Sequence, residues 1–211
     1  MLKQKNKTEL HVVNGEGVEN FTFRHVQFEN DLDLLYDWMH QKHIAPFWKL
    51  NLPILEFKEW LRNSIEAKHK DIYIGSFNEI PVCYLVAYSV KDDPIREYYD
   101  YQTGDLGMHL LIGPQAFLNK DDGLSIIRAM IIFLFHQYGA NRIIGEPDIR
   151  NRIVIPILNK LGGKVIERID LHHKKASLII GEKVSIEKKL KEMNIKIEII
   201  NKINSRNELI E

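Results

Sequence analysis

The chain is poor in cysteine: Cys83 is the single one in 211 residues. That excludes an intramolecular disulfide framework and a cysteine metal cage. An excess of charge of either sign is also missing, because 29 Lys and Arg balance 29 Asp and Glu. No global field draws the chain to nucleic acid or to a membrane surface, and neither is expected as a partner. Long apolar runs are absent too. The longest, "AMIIFLF" (129–135), is too short to span a bilayer, and "MLKQKNKTELHVV" at the start lacks the apolar core of a signal peptide. There is no internal repeat and no low-complexity tract. What remains is a chain with 45% hydrophobic and 27% charged residues, long enough for one domain with a sizeable core. A cytoplasmic enzyme or binding protein is the expected class.

Turn residues and periodicity divide the chain. Two short strands are expected over 9–13 and 18–27, around Asn14-Gly15. "NDLDLLYDWMHQ" reads as a helix capped by Asn30 or Asp31, with Leu34, Leu35, Trp38 and Met39 on one stripe. An aromatic, proline-broken loop "HIAPFWKLNLPILE" follows. A second amphipathic helix has Phe57, Trp60, Leu61 and Ile65 facing inward. "DIYIGSF" and "IPVCYLVAYSV" form a hairpin about Asn78-Glu79. After a polar connection come the strand "LGMHLLIGP", a buried helix over 123–139 closed by Gly139, and the short strand "NRIIGEP". A helix in "DIRNRIVIPILNKLGG", a final pair of strands and an amphipathic helix around 185–193 complete the chain. The order describes a mixed α/β sheet.

In "GDLGMHLLIGP" the alternation of a strand places Met108, Leu110 and Ile112 on one face. His109 lies on the other, between Gly107 and Leu111. A histidine there serves packing or chemistry, and spacing alone does not choose. His40 and His43 stand three apart, but no third ligand accompanies them and no metal is expected. His172 and His173 point to opposite faces of a strand and read as surface.

The strand, glycine-containing turn and buried helix resemble the GNAT acyl-CoA N-acyltransferase fold. The words "GMHLLIGP", "EPDIRN" (146–151) and "HIAPFW" (43–48), in this order, are similar to those of the siderophore-biosynthesis acyltransferases. That group acylates N6-hydroxylysine or related hydroxylamines on the way to aerobactin and mycobactin. The resemblance covers roughly 20–180 and implies an acyltransferase domain over 20–182, with an N-terminal extension (1–19) and a charged C-terminal one (183–211). It implies splayed parallel strands, Leu106–Ile112 and Arg142–Glu146, with acetyl-CoA or another acyl-CoA as co-substrate.

The resemblance also implies roles for particular residues. His109 and Asp148 project into the cleft, the histidine taking a proton from the acceptor nitrogen and the aspartate holding the imidazole or the acceptor hydroxyl. Backbone N–H groups of the strand after His109 stabilise the oxyanion, and Leu111 and Ile112 bind the donor. The pyrophosphate falls at the turn Lys120-Asp121-Asp122-Gly123-Leu124-Ser125, with Lys120, Gly123 and Ser125 matching the motif and the two aspartates departing from it. Asn151 matches a residue beside the CoA arm. His43, Phe47 and Trp48 become a wall of the acceptor pocket, and Glu146 reaches the acceptor's amino group. Two other readings stay open: an acetyltransferase for an ordinary primary amine, and a non-catalytic CoA-binding module.

Overall fold

The computed structural model describes residues 7–202 apart from 16, 92 and 173. In chain order the elements are β1 (Lys7–Asn14), β2 (Gly17–His25), α1 (Phe28–Met39), α2 (Ala45–Trp48), α3 (Ile54–Glu66), β3 (Lys70–Phe77) and β4 (Ile80–Ser89). There follow β5 (Leu106–Ile112), α4 (Lys120–Tyr138), β6 (Arg142–Gly145), α5 (Val154–Lys160), β7 (Lys164–Leu171), β8 (Lys174–Glu182), α6 (Lys183–Glu192) and β9 (Lys196–Lys202). The strands form one mixed sheet in the order β7-β8-β6-β5-β4-β3-β2-β1-β9. Side-chain alternation gives the sheet two apolar faces. One buries Leu35, Trp38, Phe57 and Leu61 of α1 and α3. The other buries most of α4 together with Ile157, Leu158, Ile186 and Leu190 of α5 and α6. No described helix is long and apolar enough to cross a membrane.

Local chemistry explains most element boundaries. Asn78 and Glu79 both take left-handed conformations (φ 45° and 69°), which matches the tight hairpin expected between β3 and β4. Gly139 (φ 61°) closes α4. The start of α1 differs from the sequence expectation: Gln27 is the capping position, not Asn30 or Asp31. Asp31 is buried one turn inside, where it accepts two 2.7 Å hydrogen bonds from Arg24 and one from the Gln27 N–H. It therefore ties α1 to the end of β2. The segment 183–202 supplies α6, close to the helix expected there, and β9, which was not anticipated and pairs antiparallel with β1. His173 lies outside the described residues.

The decisive feature is the junction of β5 and β6. They pair in parallel only at Leu106↔Ile143 and Gly107↔Ile144, then part. This is the splay expected between the two strands.

Candidate active site

The site is assembled from the residues at which β5 and β6 separate. The alternation of β5 places Met108 and Ile112 against α4 and Leu111 against the α1/α3 layer. Gly107 and His109 share Leu111's face, as expected. Gly107 pairs with Tyr88 on β4, and the Tyr88 ring lies across it. A methyl group on Gly107 would come within 2.2 Å of that ring. So placed, the ring stacks on the His109 imidazole, with centroids 4.9 Å apart and planes at 17°. Its hydroxyl reaches past β5 and donates to Glu146 Oε2 at 3.2 Å. Burial, reinforced by the Glu146 charge, pushes the Tyr88 phenol well above its ordinary pKa, so it remains a donor.

Glu146 is the hub. It follows Ile144 by two residues, so the alternation of β6 turns it toward His109. It is 6% exposed, a position in which a carboxylate needs partners. Oε1 lies 3.2 Å from His109 Nδ1 and 3.6 Å from Lys174 Nζ at the start of β8. Asp148 was expected to hold either the imidazole or the acceptor hydroxyl; the carboxylate paired with the imidazole is that of Glu146. Its carboxylate is taken by Arg150, which binds it through the side chain at 2.8 and 2.7 Å and through the backbone N–H at 2.9 Å. The Arg150 hydrogen bonds hold Asp148 below the usual carboxylate range. A contact two residues away in the chain wins over one across the cleft. His109 and Glu146 are thus brought together, with Asp148 on the neighbouring wall.

A cavity of about 480 Å³ opens around this cluster and passes through the splay, so residues of both sheet faces line it. Trp48 stands over it, edge-on to Tyr84 (5.5 Å) and to His109 (6.4 Å). Phe47 lies at the rim beneath the Arg150 guanidinium, 5.5 Å away. Both line the cavity, whereas His43 is not among its lining residues. His43 Nε2 instead contacts the Gly113 carbonyl at 3.0 Å and so ties the 40–44 turn to the end of β5. His40 turns to the Tyr36 carbonyl. The two histidines therefore do not converge.

On the donor side the backbone decides. The Gly113 N–H bonds to the Val82 carbonyl, so in this antiparallel ladder the pairs Leu111↔Tyr84 and His109↔Val86 are also hydrogen-bonded. The N–H groups of Leu110 and Ile112 face the other way, into the splay, where β6 no longer pairs. Of the two positions expected to bind a donor through the backbone, Ile112 presents a free edge, while Leu111 spends its groups on β4. The other N–H on that open edge is that of Leu110.

The first turn of α4 begins at Lys120, three residues earlier than expected, and it has the geometry of a helix cap. Asn119 Oδ1 accepts from the N–H groups of Asp121 and Asp122, and the Asn119 amide donates to the Asp122 carboxylate. The two aspartates serve the helix dipole. Gly123 is buried, and a Cβ there would lie 3.3 Å from Ile157 Cδ1, so it faces packing and not an open cradle. The Ser125 hydroxyl is committed to Glu19, which also binds Arg128. Lys120 is exposed. The splay therefore fits a thioester arm, whereas this turn does not offer the N–H cradle a pyrophosphate requires. Asn151 also caps, accepting from the N–H groups of Ile153 and Val154 ahead of α5 while lining the cavity. These caps delay α5 to Val154, six residues after the expected start.

Tyr88, Lys174 and Leu110 were not singled out in the sequence. Strand alternation gives a signal for Leu110 once the pairing partner is known. Lys174 arrives through a hairpin remote in sequence, and nothing local marks it.

Residues 27–171 match the family described as Acetyltransferase (GNAT) domain. A curated relative, the N-hydroxyputrescine acetyltransferase of Acinetobacter baumannii, is 34% identical over 129 residues, which is 61% of this chain. The chain spans 62% of that relative's length. Among solved structures, an uncharacterized protein from Bacillus halodurans superposes with a TM-score of 0.81 at 32% identity, covering 88% of this chain and 95% of that one. The aminoglycoside acetyltransferase AAC(6')-Ib in complex with coenzyme A shares the fold, with a TM-score of 0.69 at 22% identity, 80% and 98% covered.

Proposed function

The chain belongs to the GNAT acetyltransferase family, and from that premise we propose that it transfers an acyl group from acyl-CoA to the nitrogen of a hydroxylamine, forming a hydroxamate in siderophore biosynthesis. The acceptor is N6-hydroxylysine or a related hydroxylated amine, in line with the relative that acts on N-hydroxyputrescine. The observation that carries this reading is the His109–Glu146 pair at the mouth of the splay.

With Nδ1–H donated to the Glu146 carboxylate, the Nε2 lone pair is left for the acceptor. The hydroxylamine nitrogen attacks the thioester carbonyl. The C–N bond forms as the nitrogen's proton passes to Nε2, the C–S bond breaks, and the sulfur leaves as a thiol with that proton. A hydroxylamine is far less basic than an alkylamine and arrives unprotonated near neutral pH, so one base suffices. The Leu110 N–H, adjacent to His109 on the open edge of β5, is placed to meet the oxyanion. Glu146 acts through His109 and is a positioning residue. Tyr88 holds both by its stack and its hydrogen bond.

Charge balance also favours a neutral acceptor nitrogen. Lys174 offsets Glu146, and Arg150 offsets Asp148, so the two carboxylates nearest His109 are already compensated, while Asp93, the third in the lining, accepts from the Ile95 N–H. Trp48 packs along the aliphatic stem, and Asp148 and Asn151 contact the polar end of the acceptor.

The test is acyl transfer from acetyl-CoA to N6-hydroxylysine and to an N-hydroxydiamine, each against its parent amine. Hydroxylamines should be turned over at least about tenfold faster. Equal or faster turnover of the parent amines would assign the protein to the ordinary amine acetyltransferases.

A further inference from the structure

Beneath the main cavity lies a second, smaller one of about 20 Å³. The two share Met108, Gly145 and Leu158 in their walls. Met108 and Gly145 directly follow the last paired residues of β5 and β6, so the small cavity sits under the point where the strands part. Its walls are wholly apolar: Met108 on β5, Gly145 on β6, Ile131 on α4, Leu158 on α5 and Ile186 on α6 are among them. Its size is about that of one water or methyl group, and no hydrogen-bonding side chain lines it to hold a water.

Two glycines shape this pocket. A Cβ on Gly145 would meet nothing nearer than Pro147 Cδ at 3.9 Å, so the wall there is open because the side chain is missing. A Cβ on Gly181 would come within 3.0 Å of Ile186 Cδ1, so glycine at 181 is what lets Ile186 close against β8. Ile186 is 3% exposed and belongs to α6, beyond the residues that match the family.

We propose that this pocket receives the acyl chain of the donor thioester and that Ile186 ends it at acetyl size. The inference rests on the acyl-transfer reading above and adds the donor class: short acyl-CoAs, with acetyl-CoA foremost. A thioester carbonyl facing His109 from the splay has its alkyl substituent directed between Met108 and Gly145. The room behind them accepts one methyl group. Each further methylene meets Ile131, Leu158 or Ile186 in a packed core, where an added carbon that does not fit is discriminated against by about tenfold or more.

The experiment compares CoA, acetyl-CoA and butyryl-CoA by calorimetry without acceptor, and by kcat/KM with N6-hydroxylysine, in wild type, Ile186→Ala and Gly145→Ala. Wild type should favour acetyl over butyryl by at least about tenfold. Ile186→Ala should reduce that preference about tenfold by extending the pocket. Gly145→Ala should weaken acetyl-CoA relative to CoA by about tenfold by filling it. This arm creates no cavity and stands alone if Ile186→Ala does not fold. A wild type indifferent to chain length, or a preference that neither variant moves, overturns the pocket while acyl transfer stands. Absence of any acyl-CoA binding by wild type would refute the acyl-transfer reading and the pocket with it.

Discussion

Replacing Gly107 with alanine tests how the site is built. In the interior of a strand that change ordinarily stabilises by about 0.5–1 kcal/mol, because glycine has more freedom to lose on folding. Here the new methyl would lie 2.2, 2.3 and 2.6 Å from three atoms of the Tyr88 ring, well inside contact distance. Tyr88 is 7% exposed and packed on His109, so the ring has little room to yield. Overpacking of this kind costs about 1–3 kcal/mol. If the ring is pushed off Glu146, the 3.2 Å hydrogen bond to a buried carboxylate is lost as well, at about 1.5–3 kcal/mol. With the bond lost, the penalty outweighs the ordinary gain, and a net loss of roughly 1.5–5.5 kcal/mol is expected. Urea titration should show a lower midpoint at unchanged slope, and thermal unfolding a drop of about 2–4 °C per kcal/mol. Turnover should fall too, because the displaced ring is what aligns His109. In a Tyr88→Ala background the penalty of Gly107→Ala should vanish, since the two positions touch. A Gly107→Ala protein as stable and as active as wild type would refute the claim that Tyr88 is seated on this glycine.

Two further expectations concern charge. Burial raises the Asp105 pKa, but the hydrogen bonds from Arg142, the Gln102 N–H and Tyr99 outweigh it and hold the carboxyl below its ordinary value. Its contribution to stability is therefore complete above about pH 4 and is lost as pH falls further. Asp105→Asn should flatten that acid limb in chemical denaturation, and an unchanged limb would contradict the assignment. Arg128 is 4% exposed and paired with Glu19 and Ser125, and its Nε has no hydrogen-bond partner among the described residues. Glu19→Ala should cost about 3–5 kcal/mol in urea unfolding, because it strands a buried guanidinium. A loss under about 1 kcal/mol would mean that Arg128 escapes to solvent.

What was legible in the sequence was local or periodic. The alternation in 106–112 placed His109 opposite Met108, and Asn78-Glu79 gave its hairpin. The splay and the GNAT resemblance followed from the order of the words around them. What escaped depended on competition between partners. The resemblance put a phosphate turn at "NKDDG", but the side chain of Asn119 takes the N–H groups of Asp121 and Asp122 and makes a helix cap of it. The resemblance turned both Asp148 and Glu146 toward the cleft that holds His109, but Arg150 lies two residues from Asp148 and claims it, leaving Glu146 to the imidazole. Strand β9 has visible alternation in "KIEII", yet its partner β1 lies almost the whole chain away, and no local signal joins them.

The central claim is that His109, held by Glu146, takes the proton from the acceptor nitrogen. It is tested most directly by turnover of N6-hydroxylysine with acetyl-CoA in His109→Ala, Glu146→Gln and the double variant. The account predicts a loss of roughly 10²–10⁴-fold for His109→Ala and at least about tenfold for Glu146→Gln, with the double variant no worse than His109→Ala alone. Wild-type turnover by His109→Ala, or losses in the two single variants that multiply in the double, would contradict it.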